Sequence, residues 1–558
     1  MEQKYVIGID FGTLSGRALI VRVADGLQKG TAVKEFTHQV MDRRLTASTG
    51  ETLPPDFALQ VPADYVEVLC EAVPAAMKDA GISPDDVIGI GIDFTSATVI
   101  PTLDDGTPLS ELDEFKSNPH AYVKLWKHHG AQDQANRLIA VAESRNEPWL
   151  ARYGGLLSSE LLLPKVLETY EKAPEVYERA ALFVNALDWI VWRMTGRLSY
   201  AAGDSGYKRM YQDGKYPSRE YLQEVNPGIA DLFEHKMGGE ILPLGAKAGE
   251  LTPELAGRMG LKPGIAVAVG NIDAHVTAAA VDAVEVGQLT AIMGTSSCYV
   301  VSGPEPKEVP GMFGLVDGGI VDGLWGFEAG QTGVGDLYAW FVDNCVPESY
   351  SQEARRRGVD LHTLLTDLSA DQEVGEHGLV ALDWHNGNRS ILVDNDLSGL
   401  MIGTTITTTP EDQYRALLEA TAFGARTIIE AFQAAGVEVN EYVAAGGLLK
   451  NKFLMQLFSD VTRLPLSTAA SEQSGSLGSA IHAAVAAGAY PDVPTAAKSM
   501  GGKVTAAYVP NEERAAKYDE LYAEYKQLHD FFGRGGNDVM HRLKEIRRQA
   551  AARAGHEA

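Results

Sequence analysis

Four places in the chain hold residues whose types and spacing could do chemistry. Asp10-Phe11-Gly12-Thr13 sets a carboxylate at the end of a strand-like run and follows it with a glycine turn. Glycine lets backbone N–H groups approach phosphate oxygens, the Thr13 hydroxyl adds a donor, and Asp10 can hold a hydrated Mg²⁺. The same residues also make an ordinary hairpin turn. Gly270-Asn271-Ile272-Asp273-Ala274-His275 follows an apolar strand and opens an alanine-rich helix. A carboxylate at that junction either caps the helix or projects into a cleft and accepts a hydroxyl proton, so Asp273 stands as both. His275 reads as a packed histidine. Gly446-Gly447-Leu448-Leu449-Lys450-Asn451 sits between a strand and a helix. Its glycine pair admits the flat face of a nucleobase or ribose, and the helix amides favour phosphate; a plain turn uses the same residues. Lys124, Trp126, Lys208 and Glu328 are set in apolar segments. Charged groups that bind hydroxyls, beside an indole with an apolar face, suit a polyhydroxylated ligand; singly, each also suits a structural role.

The elements that must position these residues alternate in type. Short apolar runs bounded by turn residues predict strands at Tyr5–Ile9, Ala18–Val23, Val87–Ile92, Ala266–Val269, Gln288–Met293, Cys298–Ser302, Leu324–Glu328 and Tyr442–Ala445. Longer periodic segments predict helices, among them Pro62–Ala80, Pro119–Ala142, Ser159–Lys172, Pro410–Ala435 and Gly475–Ala487. The mixture is an α/β fold. One pattern occurs twice: a strand, a Gly-Thr tip, and a second strand, at Gly12-Thr13 and again at Gly294-Thr295. Their separation by half the chain suggests two related domains facing across a cleft, divided around residues 276–288. From about Asn511 the chain turns rich in Lys, Arg, Glu and Ala and predicts two amphipathic helices around a Gly-Arg-Gly-Gly break, suited to packing or a partner contact.

Composition narrows the function classes. The 558 residues are 45% hydrophobic and 22% charged, which suits a folded chain of several domains. A net charge of −27 argues against nucleic acid or an anionic membrane as the main partner. Cys70, Cys298 and Cys345 are odd in number and lack metal spacing, so neither a disulfide framework nor a zinc site is expected. Without a basic-then-apolar leader or a long apolar run, the expected compartment is the cytoplasm. There is no Walker A loop, and the glycines of 330–335 do not match GxGxxG.

Together the segments resemble the FGGY family of carbohydrate kinases, within the actin/Hsp70/hexokinase-like ATPase superfamily. The order D-x-G-T at 10–13, the Asp at 273, G-T-S-S at 294–297 and G-G-x-x-x-N at 446–451 carries the likeness. Gly399–Gly403 with Gln413–Glu419 is similar to the family's C-terminal signature, with Tyr414 where an aliphatic residue is usual. Within the family, Gly91–Pro101, Asn118–Gln132, Ser158–Glu168, Gly270–Val276, Phe327–Val342 and Leu382–Asp394 look like the branch that acts on L-ribulose.

The resemblance implies an α/β fold of two actin-like (RNase H-like) ATPase domains facing across a central cleft. Residues 1–278 would hold sugar and the first phosphate hairpin, 279–510 would hold ATP, and 511–558 would form a helical extension. It implies ATP- and Mg²⁺-dependent phosphorylation of L-ribulose, with D-ribulose in reach, at O5, serving L-arabinose catabolism. Asp273 matches the general base. Ser96, Ala97, Trp126, Lys208, Asp273 and Glu328 match the sugar site, with Ala97 where a Cys is common. Gly12, Thr13, Gly294 and Thr295 match phosphate hairpins, Asp10 the Mg²⁺ side, and Gly446, Gly447 and Asn451 the adenosine side. Other acceptors (xylulose, ribitol, gluconate, glycerol) are the alternative. A non-kinase actin- or Hsp70-like ATPase would share the hairpins but not need Asp273, Lys208 and Glu328. The expected partners are the sugar and ATP, with a homodimer favoured by oligomer frequencies.

Overall fold

The computed structural model of the chain describes residues 3–553. Its first large sheet runs, in spatial order, Lys247–Glu250, Ala266–Ala268, Val87–Phe94, Tyr5–Phe11, Ser15–Arg22 and Gln28–Glu35, with Asn271–Ile272 also pairing to Val87–Phe94. Tyr5–Phe11 pairs parallel with Val87–Phe94 and antiparallel with Ser15–Arg22. Because successive side chains point to opposite faces, one strand feeds two cores. Ile7, Ile9 and Phe11 pack with Tyr65, Val68 and Leu69 of the helix Pro62–Ala80. Val6 on the other face packs with Leu477, Ala480 and Ile481 of the helix Ser474–Ala486. That helix comes from the far end of the chain and crosses onto the first sheet. Glycines make the crossing possible: a Cβ on Gly8 would strike the Ser476 carbonyl oxygen, and one on Gly91 the Ser479 carbonyl oxygen.

The second large sheet repeats the plan. Trp325–Gln331, Ser297–Gly303 and Gln288–Met293 form an antiparallel set, and Glu441–Ala445 and Leu466–Ala469 continue it in parallel. Gly314–Asp317 and Lys503–Tyr508 close its edges. The 25-residue helix Pro410–Ala434, started by a Thr409/Asp412 capping box, covers one face and buries Leu417, Phe423 and Ile428. Each domain is thus a hairpin-led mixed sheet flanked by helices, and the two hairpin tips are equivalent places in them.

A smaller four-stranded sheet (Leu59–Gln60, Val123–Lys124, Val99–Thr102, Leu182–Asn185) carries a separate core within the first half. Here the structure corrects the helix expected over Pro119–Ala142. Residues Pro119–Ala121 form one 3₁₀ turn, Val123–Lys124 is a strand, and the helix begins only at Gln132. Pairing of Val123 with Gln60 and of Lys124 with both Leu59 and Val99 overrides the helical pattern. The correction sets Trp126 on the loop between strand and helix. The C-terminal helices Glu512–Gly533 and Val539–Arg553 pack on the second domain. Tyr518, Tyr522 and Tyr525 enter its core, and His541 bonds Asp394 at 2.7 Å. Cys70, Cys298 and Cys345 are free thiols, and among the described residues no helix is long and apolar enough to cross a membrane.

Candidate active site

The first hairpin tip is tight: Gly12 N–H donates to Ser15 O at 3.0 Å, and Gln60 donates to Thr13 O at 2.7 Å. At its base the parallel pairing sets Asp10 directly beside Asp93. Burial raises the Asp10 carboxyl, opposed by Asp93 and Arg17. Burial and the Asp10 charge push Asp93 well above the usual carboxylate range. One Asp93 oxygen accepts from Ser479 Oγ at 2.6 Å; the other, fully enclosed, has no hydrogen-bond partner. Gly475, in the first turn of the crossing helix, packs against both carboxylates, where a side chain would crowd Asp10.

Asp273 heads the helix Asp273–Ala280, directly after the strand pair Asn271–Ile272, whose partners are Asp93 and Phe94. Its side chain takes the N–H of Ala274 at 2.7 Å. Burial, with the Asp10 charge adding, pushes its carboxyl up to about 7. Beyond it, Lys208 Nζ contacts both Glu328 oxygens at 3.2 and 3.3 Å, and His275 Nε2 meets Glu328 at 2.8 Å. Burial works to raise Glu328, but Lys208 and His275 overcome it and hold the carboxyl at about 2. Lys208 also lies 4.6 Å over the ring of Phe313.

The second tip is tied to a helix. Val334 and Asp336 N–H groups donate to Thr295 O, and Gly335 N–H to Gly294 O. Gly446, at φ +102°, lies so close to Met293 O that a Cβ would collide, which sets the Gly446-Gly447 turn beside this hairpin. Gly447 faces open space. Asn451 is spent on structure: its oxygen caps the helix Lys452–Thr462 through Leu454 N–H at 2.9 Å, and its amide donates to Thr366.

Trp126 Nε1 donates to Thr13 Oγ1 at 3.2 Å, joining a sugar-side expectation to a phosphate-side one. Ser96 and Ala97 form the turn after Val87–Phe94, with Ala97 at φ +51°. A cavity of about 670 Å³ opens between the halves, lined by Trp126, Lys127, Thr295, Phe313, Thr332 and Arg389 among others. Lys208, Asp273 and Glu328 lie outside that lining, with Phe313 the residue common to both. Lys124 does not join the site; it is buried on Glu168 and Thr169, each at 2.7 Å.

Two residues escaped the sequence reading. Asp93 had a signal: Gly-Ile-Asp-Phe occurs at 8–11 and again at 91–94, and the two copies pair in register. His275, read as packing, is buried as expected but is also bonded to Glu328. Nothing local pairs it with a residue 53 positions away.

The fold and site are those of a sugar-phosphorylating enzyme. Residues 5–280 match the N-terminal domain of the FGGY family of carbohydrate kinases and 289–487 its C-terminal domain, so the chain belongs to that family and is a carbohydrate kinase. Among curated relatives, a ribulokinase of Mycolicibacterium smegmatis is 57% identical, covering 99% of this chain and 98% of its own. One of Halalkalibacterium halodurans is 48% identical, covering 98% of each. A xylulose kinase structure from Lactobacillus acidophilus superposes with a TM-score of 0.78 at 17% identity, covering 94% and 98% of the two chains, and shows the shared fold.

Proposed function

We propose that this kinase transfers the terminal phosphoryl group of ATP to O5 of L-ribulose. The observation that carries the reading is Asp273, a carboxyl raised to about 7 in a half-buried place beside the Lys208–Glu328–His275 set. The full-length identity to ribulokinases supports the choice of sugar. D-ribulose is a second acceptor of the same site.

Phosphoryl transfer needs mostly positioning and charge stabilisation. Asp273 accepts the O5 proton as the hydroxyl oxygen attacks, and a base with a pKa near neutrality suits that task. Lys208 and Glu328, locked together, present a donor and an acceptor to the sugar hydroxyls, with Trp126 and the Ser96-Ala97 turn as the other wall. Gly12 and Gly294 spend their N–H groups closing the two hairpins, on Ser15 O and Ser296 O, which leaves the amides and hydroxyls of Thr13 and Thr295 for the phosphates, and Gly446-Gly447 admits the adenosine. Asn451 contributes by holding the helix behind that turn. The division of labour is residues 1–278 for the sugar and the first phosphate hairpin, 279–510 for the nucleotide with Glu328 reaching the sugar, and 511–553 as a helical brace, the expected extension beyond 553 lying outside the described residues.

Among the described residues no group of three or more His, Cys, Asp or Glu could hold a metal alone. Mg²⁺ needs less, because it keeps waters and uses one or two carboxylates plus phosphate oxygens. Asp10 and Asp93, with one Asp93 oxygen unpartnered, fit that demand. When bound there, the ion neutralises phosphate charge. The proposal places the enzyme in the cytoplasm as a homodimer. Its test is ADP release with Mg-ATP against L-ribulose, D-ribulose, D-xylulose, ribitol, gluconate and glycerol. A ribulose-dependent signal is expected; activity confined to another polyol would discard the sugar assignment and keep the mechanism.

A further inference from the structure

Behind the sugar side, Lys165 on the helix Leu162–Lys172 is wholly buried. Its ammonium donates to Ala97 O at 2.7 Å and to Leu125 O at 2.8 Å. Both bonds go to main-chain carbonyls rather than to a carboxylate. The nearby Glu168 is already engaged by Lys124 at 2.7 Å and His128 at 2.9 Å, with Lys172 at 3.4 Å. Burial drives the Lys165 ammonium down to about 7, a measure of what its removal from water costs. A methionine would fill the volume without that penalty, so packing alone does not account for a lysine there.

The two carbonyls explain it. Ala97 holds a left-handed φ of +51°, uncommon for a residue with a side chain. Leu125 O belongs to the peptide that leads into Trp126, and Trp126 in turn donates to Thr13 of the first hairpin. One ammonium therefore joins two separate loops that lie more than 25 positions apart in the chain. We propose that Lys165 is a positioning residue for the sugar site: it ties the Ser96-Ala97 turn to the Trp126 loop and sets the spacing of these two segments of the sugar wall. This rests on the reading of those residues as sugar walls.

The test is steady-state kinetics with Mg-ATP and L-ribulose. Lys165→Met is expected to raise the sugar KM about tenfold or more, the scale of losing charge-assisted hydrogen bonds, and to leave the KM for Mg-ATP within about twofold. Lys165→Gln keeps a neutral donor in the same space and should give an intermediate rise; it decides the matter if Lys165→Met does not fold. Thr169→Val disturbs the same buried network without touching either loop carbonyl and should leave both KM values unchanged. An unchanged sugar KM in the Lys165 variants, or equal rises for sugar and ATP, would overturn the proposal. Trp126→Leu separates the two readings. If it raises the sugar KM while the Lys165 variants do not, only the positioning role falls. If it too leaves the sugar KM unchanged, the assignment of the walls fails and the proposal with it.

Discussion

Asp10, Asp93 and Asp273 meet where the first sheet hands over to the helix Asp273–Ala280; burial raises all three carboxyls, and the Asp10 charge adds to the rise of Asp93 and Asp273. For Asp273 the consequence has a definite sign. Its carboxyl is raised to about 7, so it is protonated below that pH and cannot accept the hydroxyl proton. kcat at saturating sugar should therefore rise as pH increases through about 7 and level off above, while loss of the Lys165 charge near the same pH falls on the sugar KM; a kcat profile flat across neutrality would exclude this carboxyl as the titrating base. Asp273→Asn should lower kcat by about 10²–10⁴-fold, the usual worth of a positioned general base. Sugar binding by calorimetry should survive, and near-normal turnover would remove Asp273 from the mechanism. The type of this residue and its strand-to-helix setting were legible in the sequence, but whether it caps or catalyses was not. The raised proton affinity comes first from burial and then from the charge of Asp10, 263 residues away, and only the folded sheet supplies either.

At the level of elements, the close approach of the crossing helix to the first sheet is the most exacting contact. A Cβ on Gly91 would fall against the Ser479 carbonyl oxygen, so strand and helix touch through backbone. Ser479 is also the residue that donates to Asp93, which couples this packing to the carboxylate pair. Gly91→Ala should cost about 1–3 kcal/mol, the range for overpacking a filled core, and lower the thermal midpoint; an unchanged midpoint would show that the helix yields without strain. The helices Pro62–Ala80 and Pro410–Ala434 were readable because each carries its own apolar period and Pro at its start. The segment after Pro119 was not, because its buried residues are fixed by pairing with Leu59 and Gln60, elsewhere in the chain. The same limit hid the role of the C-terminal helices. Their tyrosines are apolar enough to enter a core, but the core they enter is built from residues 289–466.

Over the whole molecule, the repeated Gly-Thr hairpin announced two domains, and the structure bears this out as two sheets of one plan. It did not announce that residues 474–486, beyond the second sheet's central strands, would lie on the first sheet. Those contacts join the halves at the base of the cleft, where Val6, Leu19 and Val21 share a core with Val300, Ile320 and Leu477. Buried bonds from Lys208 and His275 to Glu328 also span the halves, and only the outer mouth of the cleft is bridged lightly: Arg389 of the second half reaches Glu160 of the first at 3.5 Å, both partly exposed. An ion pair of that kind contributes about 0–1 kcal/mol and does not lock two domains. A firm base and a weakly bridged mouth are the conditions for closure about the base. Closure is also what the chemistry demands, since water left in an open site would compete with the sugar hydroxyl for the phosphoryl group. Small-angle scattering should therefore show the radius of gyration falling when L-ribulose and a non-hydrolysable Mg-nucleotide are both added. Either ligand alone should contract it less, because each contacts mainly one side of the cavity. An unchanged radius with both ligands at saturation would mean that the cleft is already in its working form, and that water is excluded by the ligands themselves.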